Sequence, residues 1–308
     1  MNRSAKDYAA LVLKGMAMGA ADVVPGVSGG TIAFISGIYQ ELLDSIKSVN
    51  IDNLKILLTG DIKGFWSNVN GSFLVALFGG IGISIISLAK IIMHLLETYP
   101  QLVWGFFFGL IIASVLFIGK SIKTFGTTSI VALLIGAGIA YWITIIEPTQ
   151  LETPLWFVFV AGAIAICAMI LPGISGSFIL LLMGMYSYIL TSIKELDVLV
   201  LGIFAAGCAT GLLGFSRLLS WLLKTYNDIA LALLTGFMIG SLNKVWPWKI
   251  TTKFRMNSHG EEVPFLQENI SPMQYKGDNQ LLLVVGLCVI GFLVIFLMEK
   301  FAATKSSN

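Results

Sequence analysis

The chain has 308 residues, 56% of them hydrophobic and 12% charged, with a mean hydropathy of +0.88. These proportions exclude a soluble globular domain and describe an integral membrane protein. The formal net charge of +2 is too small, and the basic residues are too dispersed, for a nucleic-acid partner.

At the N-terminus, Arg3 and Lys6 precede an apolar run with the outline of a signal peptide. Lys14 interrupts that run and Asp22 closes it, which predicts a retained first helix. The helix runs into "DVVPGVSGG", from Asp22 to Gly30. Proline removes a backbone donor and glycine admits unusual dihedrals, so the motif predicts a break and a new helix starting near Ser28. With Lys14, Asp22 and Glu41 around it, the stretch is a poor pair of full spans but an acceptable re-entrant pair buried in protein. Apolar blocks close to the roughly 20 residues that cross a bilayer follow at 72–96, 102–118 and 128–146. From 153 to 193 there is no charge at all, and "PGISG" cuts the block near its middle, predicting a second re-entrant hairpin with a helix starting near Ser175. Blocks at 198–223, 229–242 and 281–298 complete six expected spans, with a polar loop over 243–280. Cys167, Cys208 and Cys288 lie in apolar segments without metal-ligand or CxxC spacing, and no metal or other cofactor is expected.

The two broken segments are copies. Aligning Pro25 with Pro172 also pairs Gly26/Gly173, Ser28/Ser175, Gly29/Gly176, Gly37/Gly184, Tyr39/Tyr186 and Lys47/Lys194. A second register pairs Gly80/Gly207, Lys90/Arg217, Thr98/Thr225, Tyr99/Tyr226 and Gly109/Gly236, so the first copy carries an insertion around 51–70. The expected fold is an all-α polytopic membrane protein. It is an inverted repeat, each half a re-entrant broken-helix hairpin plus three transmembrane helices, because an odd number of spans makes the second half enter from the opposite side. The expected units are 1–124 (first hairpin and two spans), 125–152 (third span and connection) and 153–308 (second repeat with the polar loop). With both termini cytoplasmic, the short inner loops and tail hold Lys55, Lys63, Lys120, Lys123, Lys224, Lys300 and Lys305. The outer stretches 97–101 and 147–154 hold no Lys or Arg, as the positive-inside rule requires. The 244–276 segment, outside in this scheme, disagrees with several basic residues.

Each break frees amides at a helix N-terminus, where the helix dipole attracts anions and the serine hydroxyls add donors. The alternative is that serine and glycine only allow close helix packing. Two copies at equivalent places favour the anion reading. Lys90 and Arg217, matched in the two halves and costly in a bilayer, are candidate anion-binding cations, or else they snorkel to the interface. Asp22 and Glu41 flank only the first copy; they are candidates to carry a coupling proton, or Asp22 pairs with a lysine. "GVSG" and "GISG" fit the GxSG pattern of intramembrane serine hydrolases. That chemistry needs a histidine base, and the only two, His94 and His259, are not duplicated with the serines. Clusters of His, Asp or Glu for a metal-dependent enzyme are also absent from the sequence, so no enzyme activity is expected.

"GAADVVPGVSGGTIAFISGIYQELL" at 19–43 and "LPGISGSFILLLMGMY" at 171–186 resemble the PopT-type undecaprenyl-phosphate (polyprenyl-phosphate) translocase family, and the resemblance covers nearly the whole chain. It implies return of the C55 polyprenyl-phosphate carrier across the cytoplasmic membrane of a bacterium or archaeon, for reuse in building envelope polymers. The substrate-binding residues carried over by position are Pro25, Gly26, Ser28 and Gly29, with Gly30 and Thr31 beside them, and Pro172, Gly173, Ser175 and Gly176, with Ser177 where Gly30 stands. The second copy has no acid at the place of Asp22. The implied partners are undecaprenyl phosphate or a related polyprenyl phosphate, membrane lipids and a coupling proton or sodium ion. A transporter or channel for a small anion such as phosphate or sulfate would use the same tips.

Overall fold

A computed structural model describes residues 3–24, 27–146, 154–256 and 262–306. Pro25, Gly26, the 147–153 connection and His259 lie outside the described residues. Helix α1 (Ala5–Val23) opens with a reciprocal cap, Ser4 accepting from the Asp7 amide while Asp7 accepts from the Ser4 amide. After the first break come α2 (Gly29–Ile35) and α3 (Tyr39–Lys47), and the 51–70 insertion forms α4 (Ile51–Leu58) and α5 (Ile62–Asn68). Long helices α6 (Gly71–Thr98), α7 (Pro100–Ser121) and α8 (Thr127–Ile145) follow. The second half repeats the order with α9 (Leu155–Ile170), α10 (Gly176–Leu182), α11 (Tyr186–Glu195), α12 (Val198–Thr225), α13 (Asn227–Ser241) and α14 (Leu281–Ser306). New helices begin where the motifs predict, with Ser28 and Ser175 at the N-caps of α2 and α10.

The two halves agree in detail. Helices α6 and α12 are both 28 residues long, and each is joined to its successor through one tyrosine, Tyr99 (φ −134°, ψ 53°) or Tyr226 (φ −129°, ψ 56°). Gly37 and Gly184 take left-handed φ of 72° and 69° in the turns after α2 and α10, where a side chain would be strained.

Glycine sets the helix pairing. Helices α1 and α6 pack through Gly15 and Gly80, each lying against a backbone carbonyl of its partner. Gly162 and Gly207 do the same for α9 and α12, Gly109 and Gly291 for α7 and α14, and Gly136 and Gly236 for α8 and α13. Between helices in a bilayer there is no hydrophobic driving force, so close backbone approach over small residues supplies the attraction.

The span count differs from expectation. Among the described residues four helices, α6, α7, α8 and α12, are long and apolar enough to cross a membrane, or five if the bent pair α10/α11, turned by 107°, is counted as one span. Helix α13 has 15 residues, about 22 Å of rise against a hydrocarbon core of about 30 Å, so it is a shorter apolar helix rather than a full span by itself, while the 26-residue α14 carries its apolar stretch over 281–297. The polar 243–280 segment is not a plain loop. It holds an antiparallel hairpin of β1 (Lys249–Met256) and β2 (Glu262–Asn269), with Lys249 opposite Asn269 and an irregularity near Lys253.

Candidate functional site

The two breaks meet. The Ser28 hydroxyl lies 3.1 Å from the Met169 carbonyl and 3.2 Å from that of Leu171, and its oxygen accepts from the Gly30 amide at 3.0 Å. The Gly173 amide donates to Thr31 Oγ1 at 2.9 Å, and the Tyr39 hydroxyl donates to the Ile170 carbonyl at 3.0 Å. Ser28 and Thr31 are fully enclosed, and Tyr39 and Ser175 are buried. A broken helix exposes backbone groups that must find partners in an apolar surrounding. Here the first break supplies side chains for the orphan groups of the second.

The motif glycines permit this approach. A Cβ on Gly30 would lie 2.5 Å from the Ile170 carbonyl oxygen, and one on Gly173, where φ is +86°, would lie 2.9 Å from Ser241 Oγ. At the start of α2 the Asp22 carboxylate accepts from the Gly29 amide at 2.7 Å, so the first tip already holds an anion of its own. The second tip differs, with Met169 in the place of Asp22. Ser175 makes no capping bond and instead lies 2.9 Å from the Ser177 hydroxyl.

The flanking candidates are placed elsewhere. Glu41 is tied to Arg3 at 2.6 Å and to the Asn70 amide at 2.8 Å, bracing α3 against the chain's start and the entry to α6. Lys90 and Arg217 are exposed. Arg217 lines an open groove of about 700 Å³ with Lys47 and the Asp44–Lys224 ion pair, 2.8 Å across. The structure thus brings Ser28, Gly30, Thr31 and Gly173 together and leaves the matched cations at the periphery.

Two other cations lie nearer the second tip. Lys244 Nζ sits 4.2 Å above the Phe178 ring of α10, and Lys249 Nζ sits 4.1 Å above the Trp104 ring of α7. Both come from "KVWPWK", 244–249, where basic residues interleaved with tryptophan directly follow an apolar helix. That pattern was the available signal, and it is easily taken for an ordinary polar loop.

Residues 18–263 match the family described as "Undecaprenyl phosphate translocase-like". The chain belongs to that family. Its membership is reinforced by a "Polyprenyl-phosphate transporter" of Vibrio cholerae serotype O1 (strain ATCC 39315 / El Tor Inaba N16961). That protein is 50% identical over 300 residues, covering 96% of this chain and 97% of the relative. A "Polyprenyl-phosphate transporter" of Staphylococcus aureus (strain NCTC 8325 / PS 47) is 35% identical over 255 residues, covering 77% of this chain and 85% of the relative. No solved structure matches the chain. The family is one of multi-pass membrane transporters rather than enzymes, and its matched region contains both tips and the Lys244–Lys249 stretch.

Proposed function

We propose that this protein moves a polyprenyl phosphate, undecaprenyl phosphate in a bacterial or archaeal cytoplasmic membrane, from one leaflet to the other so that the carrier is available again for envelope-polymer synthesis. Family kinship supports the substrate class, and the interlocked tips are the observation that carries the reading. The isoprenoid tail is at home in hydrocarbon, so the barrier is the phosphate head, whose idealised transfer into low dielectric costs on the order of 20 kcal/mol. A protein lowers that barrier by replacing the head's water with fixed donors, and the two breaks concentrate hydroxyls and amides for this purpose.

In this reading Ser28, Gly29, Gly30 and Thr31, with Pro25 and Gly26 before them, and Pro172, Gly173, Ser175, Gly176 and Ser177 form the head-group path. The docked tips are its closed state, and their undocking frees the Ser28 hydroxyl and the Gly173 amide. Asp22 holds the Gly29 amide in the closed state. Protonation of its carboxylate weakens that hold, which gives a coupling proton a point of action. Glu41 acts at a distance, through Arg3 and Asn70. Lys90 and Arg217 gather the head at the two faces.

The same reading takes the fold as an inverted repeat of 1–152 and 153–308, with the 1–124 core carrying the first hairpin and both termini cytoplasmic. The exchange of partners supports it: α7 packs on α14 while its counterpart α13 packs on α8, the counterpart of α14. Transport by the purified protein in sealed vesicles tests the function. Polyprenyl phosphate should change leaflets at a rate proportional to protein, with uncharged polyprenol unaffected. Transport of inorganic phosphate in the absence of any lipid-phosphate movement would overturn the reading in favour of a small-anion transporter.

A further inference from the structure

The segment that links α13 to α14 carries two lysines that the tip-to-tip path does not use. Lys249 Nζ donates to the Lys244 carbonyl at 2.5 Å, so the two side chains share one locality. Each ammonium rests on an aromatic ring, Phe178 or Trp104, and both rings are buried. Among the described residues, ion pairs join Arg3 to Glu41, Lys55 to Asp52 and Lys224 to Asp44, and no acid pairs with Lys244 or Lys249.

Two like charges gathered beside apolar rings repel each other and lose hydration, and cation–π attraction offsets only part of that cost. The effect is visible in their acidity: desolvation brings Lys244 down to about 8, and desolvation together with the Lys244 charge holds Lys249 well below the usual amine range. The segment is also firmly held. Trp246 Nε1 donates to the Ile270 carbonyl at 2.9 Å and Trp248 Nε1 to that of Asn279 at 2.8 Å, tying both indoles to the chain leading into α14. Its start is fixed to the second tip, because the Lys244 amide donates to the Ser241 carbonyl at 2.8 Å and Ser241 lies against Gly173. The first tip has Asp22 as an internal anion; the second has no such acid and has these cations beside the helix that Ser175 opens.

We propose that Lys244 and Lys249 form a binding site for a phosphate monoester, placed where a head group meets the second tip, with Phe178 and Trp104 each seating one of the two ammonium groups. A phosphate monoester carries up to two negative charges, which match two adjacent ammoniums better than a single carboxylate does. The inference rests on the transport reading above and assigns the access point on the face that the 243–280 segment covers.

The test measures binding of undecaprenyl phosphate, uncharged polyprenol and inorganic phosphate to the purified full-length chain. Lys244→Gln and Lys249→Gln should each weaken undecaprenyl-phosphate binding by about tenfold or more, as expected for loss of a charge-assisted hydrogen bond, and Lys244→Arg should restore most of it. Weakened inorganic-phosphate binding in the same variants would assign the site to free as well as lipid-borne phosphate. Loss confined to the lipid would assign it to the head group alone. Because a glutamine variant can fail to fold, acetylation of the unmodified protein supplies an independent readout: undecaprenyl phosphate should protect Lys244 and Lys249, and polyprenol should not. Failure of the unmodified chain to bind or move the lipid overturns the transport reading. Normal binding by a folded Lys244→Gln/Lys249→Gln double variant, or absence of protection while the lipid is bound, overturns the lysine site alone.

Discussion

Gly30→Ala isolates the contact between the two breaks. The added methyl carbon would lie 2.5 Å from the Ile170 carbonyl oxygen and 3.0 Å from that of Met169, where ordinary contact begins at 3.4 Å. Both neighbours are backbone, so no side chain can rotate away, and the tips must separate by about 0.9 Å at that point, the difference between 3.4 and 2.5 Å. Separation on that scale stretches the bonds from Ser28 to Met169 and Leu171, from Tyr39 to Ile170 and from Gly173 to Thr31 beyond useful length. Overpacking costs about 1–3 kcal/mol, and losing one or two of these bonds adds about 1 kcal/mol each. The docked arrangement should therefore weaken by about 2–5 kcal/mol, or roughly 30- to 4000-fold in its population relative to the undocked one. Hydrogen exchange read by mass spectrometry over 27–36 and 169–176 measures this directly. Faster exchange in both segments, with the α8–α13 pair unchanged, is the expected result. Unaltered exchange in Gly30→Ala would refute the argument, because the backbone contact that drives it would then not exist. Ser177→Ala, at the equivalent place in the second copy, should have little effect, since a side chain already fits there.

Thr31→Val keeps the shape but leaves the Gly173 amide without its acceptor, which should cost about 1–3 kcal/mol. Its exchange increase should be smaller than that of Gly30→Ala, and Thr31→Ser should reverse it. Gly109→Ala forces a methyl group onto the Cys288 backbone and should lower thermal stability in detergent by about 1–3 kcal/mol, whereas Gly138→Ala, which meets open space, should be neutral. Undecaprenyl-phosphate binding should fall as pH rises through about 8, because Lys244 must be protonated to attract the head. It should also weaken below about 6, where the phosphate loses its second charge. Lys249 is the charged group facing Lys244, and Lys244→Arg, always protonated, should lessen the alkaline loss. The linkage to folding has the opposite sense: the folded pKa is depressed, so Lys244 lowers stability in full at pH below about 8, and that penalty is relieved progressively as pH rises from about 8 to the ordinary lysine value of 10.5.

Local chemistry made part of this legible. Proline, glycine and serine mark a break whatever surrounds them, so the starts of α2 and α10 follow from the motifs themselves. Aligning the copies identifies equivalent residues but not the faces they occupy, and Lys90 and Arg217, matched in register, both lie at the exposed periphery. The capping of Gly29 by Asp22 depends on the angle at which the chain re-enters after the break, which no spacing rule supplies. Lys244 and Lys249 were hidden for a longer-range reason. Their surroundings arise only when the segment after α13 folds against both α7 and α10, far away in sequence. Apolar run length placed α13 to within two residues at each end, yet a helix of that length is too short to cross a bilayer by itself.

The crossed pairing of α7 with α14 and α8 with α13 has a consequence for how the molecule is made. Synthesis proceeds from the N-terminus, so α1 and α6 can associate soon after leaving the ribosome, and α9 and α12 can do so later, each as a short-range event. Helices α7 and α8 must instead wait, their glycine faces turned toward lipid, until the last third of the chain has been inserted. Helix α14 closes against a helix that ends about 160 residues before it in the chain, one of the longest-range pairings among the helices. Formation of the α7–α14 contact is thus a late event, and a chain cut short before Leu281 would leave Gly105 and Gly109 uncovered, a distinctive mark of a copy that lacks α14.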